Sequence, residues 1–293
     1  MIDMLKKFLD VDKEYYQSCK NAGTLQRIYY STNTYDEEAK RIEKNALVYL
    51  PYGYGKSEEA YDVFYLMHGG GGNSDEIFGG LEAKTDLKNI LDNMIEQKLI
   101  KPLIVVTPSF YYEGCTDALT VRKEAKELTQ NFHHELVNNL IPTIESFFLA
   151  KTGREHRAFG GYSMGAEATW NVFAKCLDEF KYFLPMSGDC WAVKIQGGEL
   201  CPKETVDYLE NAIVKAGKAT EDYRIFICVG DNGVAYQPLN TMVQEMRLRK
   251  QSFVFGQGFQ NSNVIYCVAE GGEHTYEYCY KYIWNALPYF FKK

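Results

Sequence analysis

The chain has 293 residues, of which 46% are hydrophobic and 24% charged, enough for one large α/β domain with an ordinary core. A formal charge of −7 excludes the basic patches that nucleic acid and anionic membranes select, so neither partner is expected and a neutral or weakly charged substrate fits better. The eight cysteines form no C-x-x-C pair and have no histidine at zinc-ligand spacing, which excludes a metal or redox motif and reads as buried free thiols.

Residues 1–22 mix charge with aromatics and are read as an N-terminal extension with a short helix. Lys6 and Lys7 are not followed by an apolar stretch, so no export signal is expected and the chain as it stands reads as cytoplasmic; it would be secreted if a signal peptide preceded it. Alternating runs at 25–31 and 46–51, separated by a charged turn at 36–44, predict an antiparallel hairpin. The continuous apolar run 63–67 predicts a strand buried on both faces, leading straight into His68-Gly69-Gly70-Gly71-Gly72-Asn73. Downstream, strands are expected at 103–108, 157–162, 183–187, 224–229 and 263–268. Helices are expected at 87–97, 132–148 (despite Pro142), 167–177, 205–216, 238–250 and 278–291. This alternation predicts a single domain over 1–293: a mostly parallel sheet with helices on both faces, an N-terminal hairpin, and function at the carboxyl ends of the strands.

The chemistry centres on Gly161-Tyr162-Ser163-Met164-Gly165. A G-x-S-x-G sequence between a strand and a small-residue helix is a nucleophile elbow, in which the serine is held at positive φ and presented at the tip of the sheet. A serine hydroxyl needs a base to take its proton and a third group to hold that base. His274, in Gly271-Gly272-Glu273-His274, is the only histidine after Ser163 and is the expected base. Asp231, in Val229-Gly230-Asp231-Asn232, ends a buried strand and is the expected acid, with Asp189, Asp222 and Glu273 as rivals. The N–H groups of Met164 and Gly70 are the expected oxyanion donors. A phosphate cradle is the weaker reading of the glycine run, because neither G-x-x-x-x-G-K-[ST] nor G-x-G-x-x-G is present. No cofactor is expected. The 23 tyrosines suit sugar rings or phenolic groups, and Trp191, Tyr111 and Tyr112 are candidate pocket residues.

The segments HGGGGN, GGYSMGAEATWN, MSGDCW, VGDNG and GGEHTYEYCYKYIWNALPYF resemble the feruloyl esterases of carbohydrate esterase family 1, over nearly the whole chain. The resemblance implies an α/β-hydrolase fold and hydrolysis of hydroxycinnamoyl esters on arabinoxylan, with the family triad mapping onto Ser163, Asp231 and His274 and its aromatic residue onto Trp191. The implied substrate is feruloylated or acetylated xylan or its oligosaccharides. An acetyl-xylan esterase is the alternative activity, and a non-catalytic carbohydrate-binding protein of the same fold a remote one. Gly165-Ala166-Glu167 departs from the Gly-Gly usual in that family after the Met and brings a carboxylate near the helix start. No xylanase or carbohydrate-binding segment accompanies the sequence, which suggests action on soluble oligosaccharides.

Overall fold

The computed structural model describes residues 5–35, 37–113 and 122–292. In chain order its strands are β1 (Lys6–Lys7), β2 (Thr24–Asn33), β3 (Arg41–Leu50), β4 (Asp62–Met67), β5 (Leu103–Thr107), β6 (Arg157–Tyr162), β7 (Tyr182–Met186), β8 (Arg224–Gly230) and β9 (Val264–Ala269). Its helices are α1 (Leu87–Glu96), α2 (Arg122–Glu135), α3 (Ile141–Phe147), α4 (Met164–Lys175), α5 (Gly197–Leu200), α6 (Pro202–Lys215), α7 (Tyr236–Met246) and α8 (Tyr276–Ala286). The strands form one sheet in the order β1-β9-β8-β7-β6-β4-β5-β3-β2. β3 runs antiparallel to both β2 and β5, and every other pairing is parallel. The fold is the expected α/β hydrolase arrangement, with the hairpin at one edge.

The strand order reverses between β4 and β6: the chain places β5 on one side of β4 and then crosses to begin β6 on the other. Loops leaving the carboxyl ends on either side of such a switch point diverge and leave a crevice. The glycine run after β4 and the elbow after β6 both open into it.

β4 and β6 are buried along their whole length, which is why β4 reads as a continuous apolar run rather than as an alternating one. One face of the sheet packs on α2, α3, α4, α6 and α7 through residues such as Phe132, Trp170, Phe173 and Leu209. The other packs on α1 and α8 through Ile90, Met94, Tyr282 and Ile283. The seven described cysteines are free and five of them are buried; Cys115 lies outside the described residues.

Three elements differ from the sequence expectation. The helix expected over 132–148 begins earlier, and a widened turn of π type at Leu136–Leu140 separates α2 from α3. Pro142 lacks an N–H and its ring crowds the preceding turn, so a regular ladder cannot pass through it. Hairpin pairing extends from Thr24↔Leu50 to Asn33↔Arg41, so residues 41–44 of the expected charged turn belong to β3; Asp36 lies outside the described residues. The N-terminal residues, expected as an extension, are tied to the body. β1 pairs with β9, and the Asn285 amide bonds both Leu9 N–H (3.1 Å) and Leu9 O (2.8 Å).

A buried ion pair braces the hairpin. Lys44 Nζ lies 2.7 Å from Glu135 Oε2, and Glu135 also accepts from Tyr30 and Tyr35 hydroxyls at 2.6 Å each. Removing one member of a buried pair leaves the other charge uncompensated. Lys44→Met is therefore expected to lower unfolding free energy by about 3–5 kcal/mol in urea titrations, with the far-ultraviolet spectrum of the folded state retained.

Candidate active site

Ser163 follows β6 and caps α4 with φ 57° and ψ −119°, a region that L-residues rarely occupy. Strain of this kind costs roughly 1–3 kcal/mol and persists only where the surroundings over-determine it. Here the Ser163 N–H is held by Met186 O at 2.8 Å, and the chain turns back on itself so closely that a Cβ on Gly161 would lie 2.4 Å from Gly165 O. A Cβ on Gly165 would in turn lie 2.5 Å from Met67 O, at the end of β4. The two glycines of the motif are thus required by backbone-to-backbone contact.

His274 lies in the loop between β9 and α8, and its Nε2 is 2.9 Å from Ser163 Oγ. The Tyr162 ring packs against the imidazole with centroids 4.9 Å apart. Burial lowers the His274 pKa below its ordinary value, which keeps the ring neutral and able to accept the serine proton. The structure therefore brings together the expected nucleophile and base.

No hydrogen bond joins the expected acid, Asp231, to the imidazole. Asp231 is exposed at the end of β8, and its Oδ1 accepts the Gly271 N–H at 2.7 Å. The loops after β8 and β9 are zipped by Asp231 N–H to Ala269 O (3.1 Å) and Asn232 N–H to Gly272 O (3.0 Å), which fixes the carboxylate over Gly271. His274 Nδ1 is buried and has no hydrogen-bond partner among the described residues. The rivals are elsewhere as well: Asp222 caps Ala219 N–H, Glu273 is exposed, and Asp189 accepts from Trp191 Nε1–H (2.9 Å) and Gly198 N–H (2.8 Å).

Met164 is the first residue of α4, so its N–H has no acceptor within the helix. It and Gly70 line the same cavity beside Ser163. The glycine run is fixed from several sides. Gly69 N–H donates to Tyr276 Oη (2.9 Å) and Gly71 N–H to Tyr111 Oη (3.1 Å). His68, buried beneath the run, contacts Gly69 O through Nδ1 (2.6 Å) and Ser109 Oγ through Nε2 (2.8 Å). Burial pulls the His68 pKa down to about 4, so the ring is neutral at pH 7, with Nδ1–H donating to the carbonyl and Nε2 accepting from the serine. Ser109 O accepts from Lys44 Nζ at 2.6 Å, which joins the run to the buried ion pair.

The cavity over Ser163 holds about 560 Å³ and is lined by Trp191, Gln196, Pro238 and Tyr276 among others. Burial raises the pKa of Asp189, which holds the Trp191 ring through its Nε1–H and is itself tied to the Gly198 N–H. Tyr111 and Tyr112 line a neighbouring groove with Asn45 and Asn73, so of the three expected aromatics only Trp191 faces the cavity. Tyr111 instead braces the glycine run, with its hydroxyl 3.7 Å from Met164 Sδ. Sequence reasoning missed Tyr276 and weighed Asp189 only as a rival acid, not as the partner of Trp191. Tyr276 lies two residues after His274 at the start of α8, and that spacing was the available signal.

The family described as "Putative esterase" matches residues 40–289. Endo-1,4-beta-xylanase Y of Acetivibrio thermocellus is 36% identical over 287 residues, which is 94% of this chain and 24% of that protein. An endo-1,4-beta-xylanase/feruloyl esterase of Xylanibacter ruminicola is 34% identical over 202 residues, 67% of this chain and 25% of that protein. The chain thus spans about a quarter of the length of these two relatives. Among solved structures, a mutant feruloyl esterase module from Clostridium thermocellum complexed with sinapinate superposes with a TM-score of 0.84 at 32% identity, covering 99% of this chain and 95% of that one. A CE1 ferulic acid esterase from Anaeromyces mucronatus shares the fold at 19% identity, with a TM-score of 0.71 and 96% of each chain covered.

Two outcomes are expected from this geometry. Tyr276→Phe removes the acceptor for Gly69 N–H and lowers kcat on a 4-nitrophenyl ester about five- to tenfold while leaving KM nearly unchanged. A base whose pKa is depressed stays neutral to lower pH, so the acid limb of kcat/KM falls below the ordinary histidine value of about 6.5; a pH–rate profile measures it.

Proposed function

The chain belongs to the Esterase family, and from that premise we propose that it is a serine carboxylesterase that cleaves hydroxycinnamoyl esters, such as feruloyl groups on xylan oligosaccharides. The observation that carries the reading is the Ser163–His274 contact at the elbow, opening into a cavity of about 560 Å³. That volume lies within the range of small-molecule sites, about 300–1,000 Å³, and leaves room for a phenolic acyl group. Its sugar-compatible rim is Trp191, held by Asp189.

In this reading Ser163 Oγ attacks the ester carbonyl while His274 Nε2 takes its proton. The negative charge that develops on the carbonyl oxygen is met by the N–H groups of Met164 and Gly70, at the positive end of α4. The imidazolium returns the proton to the leaving sugar oxygen, and a water activated by the same nitrogen then releases the acid. Each step uses groups of this chain and water alone. The named activities of the two sequence relatives and of the Clostridium module support the substrate class.

The test compares methyl ferulate with 4-nitrophenyl acetate for the wild type and Ser163→Ala. The expected result is a higher kcat/KM on the ferulate ester and a loss of at least about 10³-fold on both for the alanine variant. Cleavage of acetate alone would replace this reading with an acetyl esterase, and full activity in Ser163→Ala would remove Ser163 as the nucleophile.

A further inference from the structure

A second cavity, of about 720 Å³, lies at the amino ends of β7 and β8 and shares no lining residue with the cavity over Ser163. Its size also suits a small molecule, for which sites run to about 300–1,000 Å³. Two half-buried rings, Phe259 and Tyr289, form its walls and meet edge to face with centroids 6.2 Å apart. The loop that carries Phe259 is fixed. Gly256 N–H donates to Val264 O (3.0 Å), Ser262 Oγ donates to Gly258 O (2.6 Å), and a Cβ on Gly258 would meet the Tyr289 ring at 3.8 Å.

Positive charge gathers around these rings. The Arg224 guanidinium lies 5.7 Å from the Phe259 centroid, and Lys292 and Lys6 Nζ lie 5.5 Å and 5.8 Å from that of Tyr289. Arg224 Nη1 donates to Thr220 O and Tyr223 O at 2.9 Å each, which fixes the group without neutralising it. Lys181, also at the wall, is paired with Glu155. Among the described residues, Arg224, Lys292 and Lys6 have no carboxylate partner, and no acidic side chain lines the cavity. Contact with a ring face leaves a cation its full charge. In a chain of net charge −7, this cavity therefore holds a local excess of positive charge.

From this arrangement we propose that the cavity binds a carboxylate-bearing sugar, a uronic acid unit of an oligosaccharide. Arg224 and Lys292 take the carboxylate, since a fixed guanidinium presents paired donors to its two oxygens. Phe259 and Tyr289 take the apolar face of the sugar ring, and the exposed Gln260 amide meets its hydroxyls. A bare inorganic anion would use the cations alone and give the rings and the amide no part. Binding here needs no bond to be made or broken, and it does not depend on the ester-hydrolase reading, because Ser163 lies at the opposite ends of the strands.

The test is a set of NMR titrations that follow the Gly258 and Phe259 amides. The probes are methyl β-D-glucuronide, its neutral counterpart methyl β-D-glucoside, and inorganic phosphate at matched ionic strength. The glucuronide should move these amides saturably and bind at least about tenfold more tightly than either other probe, the scale of one hydrogen bond to a charged group. Arg224→Gln combined with Lys292→Gln should weaken that binding about tenfold, and about 0.5 M sodium chloride should weaken it in the wild type. Glucoside or phosphate binding as tightly as the glucuronide, amides that do not move, or a double variant that binds undiminished would each overturn the proposal. If circular dichroism shows the double variant unfolded, Lys292→Gln alone decides, because that side chain is exposed.

Discussion

The structure depends on one backbone constraint, the near-contact of three chain segments at the elbow. Gly161 touches Gly165, and Gly165 touches the carbonyls that end β4, so β6, α4 and the glycine run are locked together where Ser163 turns. Side chains cannot enter this crossing. The positive φ of Ser163, the start of α4 under its carbonyl and the position of the run opposite all follow from that packing. Preorganisation of the donors is then a property of the fold and needs no movement at the moment of reaction.

A second layer of hydrogen bonds carries this order outward. Tyr276 and Tyr111 take the N–H groups of Gly69 and Gly71, and neutral His68 holds the carbonyl of Gly69 from below. Through Ser109 the same chain reaches Lys44 and Glu135, a buried pair between the hairpin and α2. Buried charge contributes little net stability in general, but a fully satisfied network fixes one arrangement. Its position behind the glycine run couples the hairpin edge to the site.

Much of this was legible in the sequence because it is written in local patterns. The elbow, the buried strands before it and the glycine run are each short motifs whose geometry follows from residue size and backbone freedom, and His274 stood alone after Ser163. Asp231 was less legible. Strand-end position places a residue on the right loop but does not say which way its side chain turns, and here the hydrogen bonds between the loops after β8 and β9 turn it to Gly271. Tyr111 shows the same limit, since a tyrosine near a site can brace the backbone as readily as it can face the substrate. The π-type turn before Pro142 was hidden because an apolar stripe survives one extra residue in the turn.

The measurement that tests the account most directly is acid quenching of the enzyme during turnover of a 4-nitrophenyl ferulate ester, followed by peptide mass spectrometry. The account predicts one feruloyl group on the peptide that contains Ser163, formed in the wild type and absent from Ser163→Ala. A feruloyl group on another residue, or rapid turnover with no adduct in either protein, would contradict it.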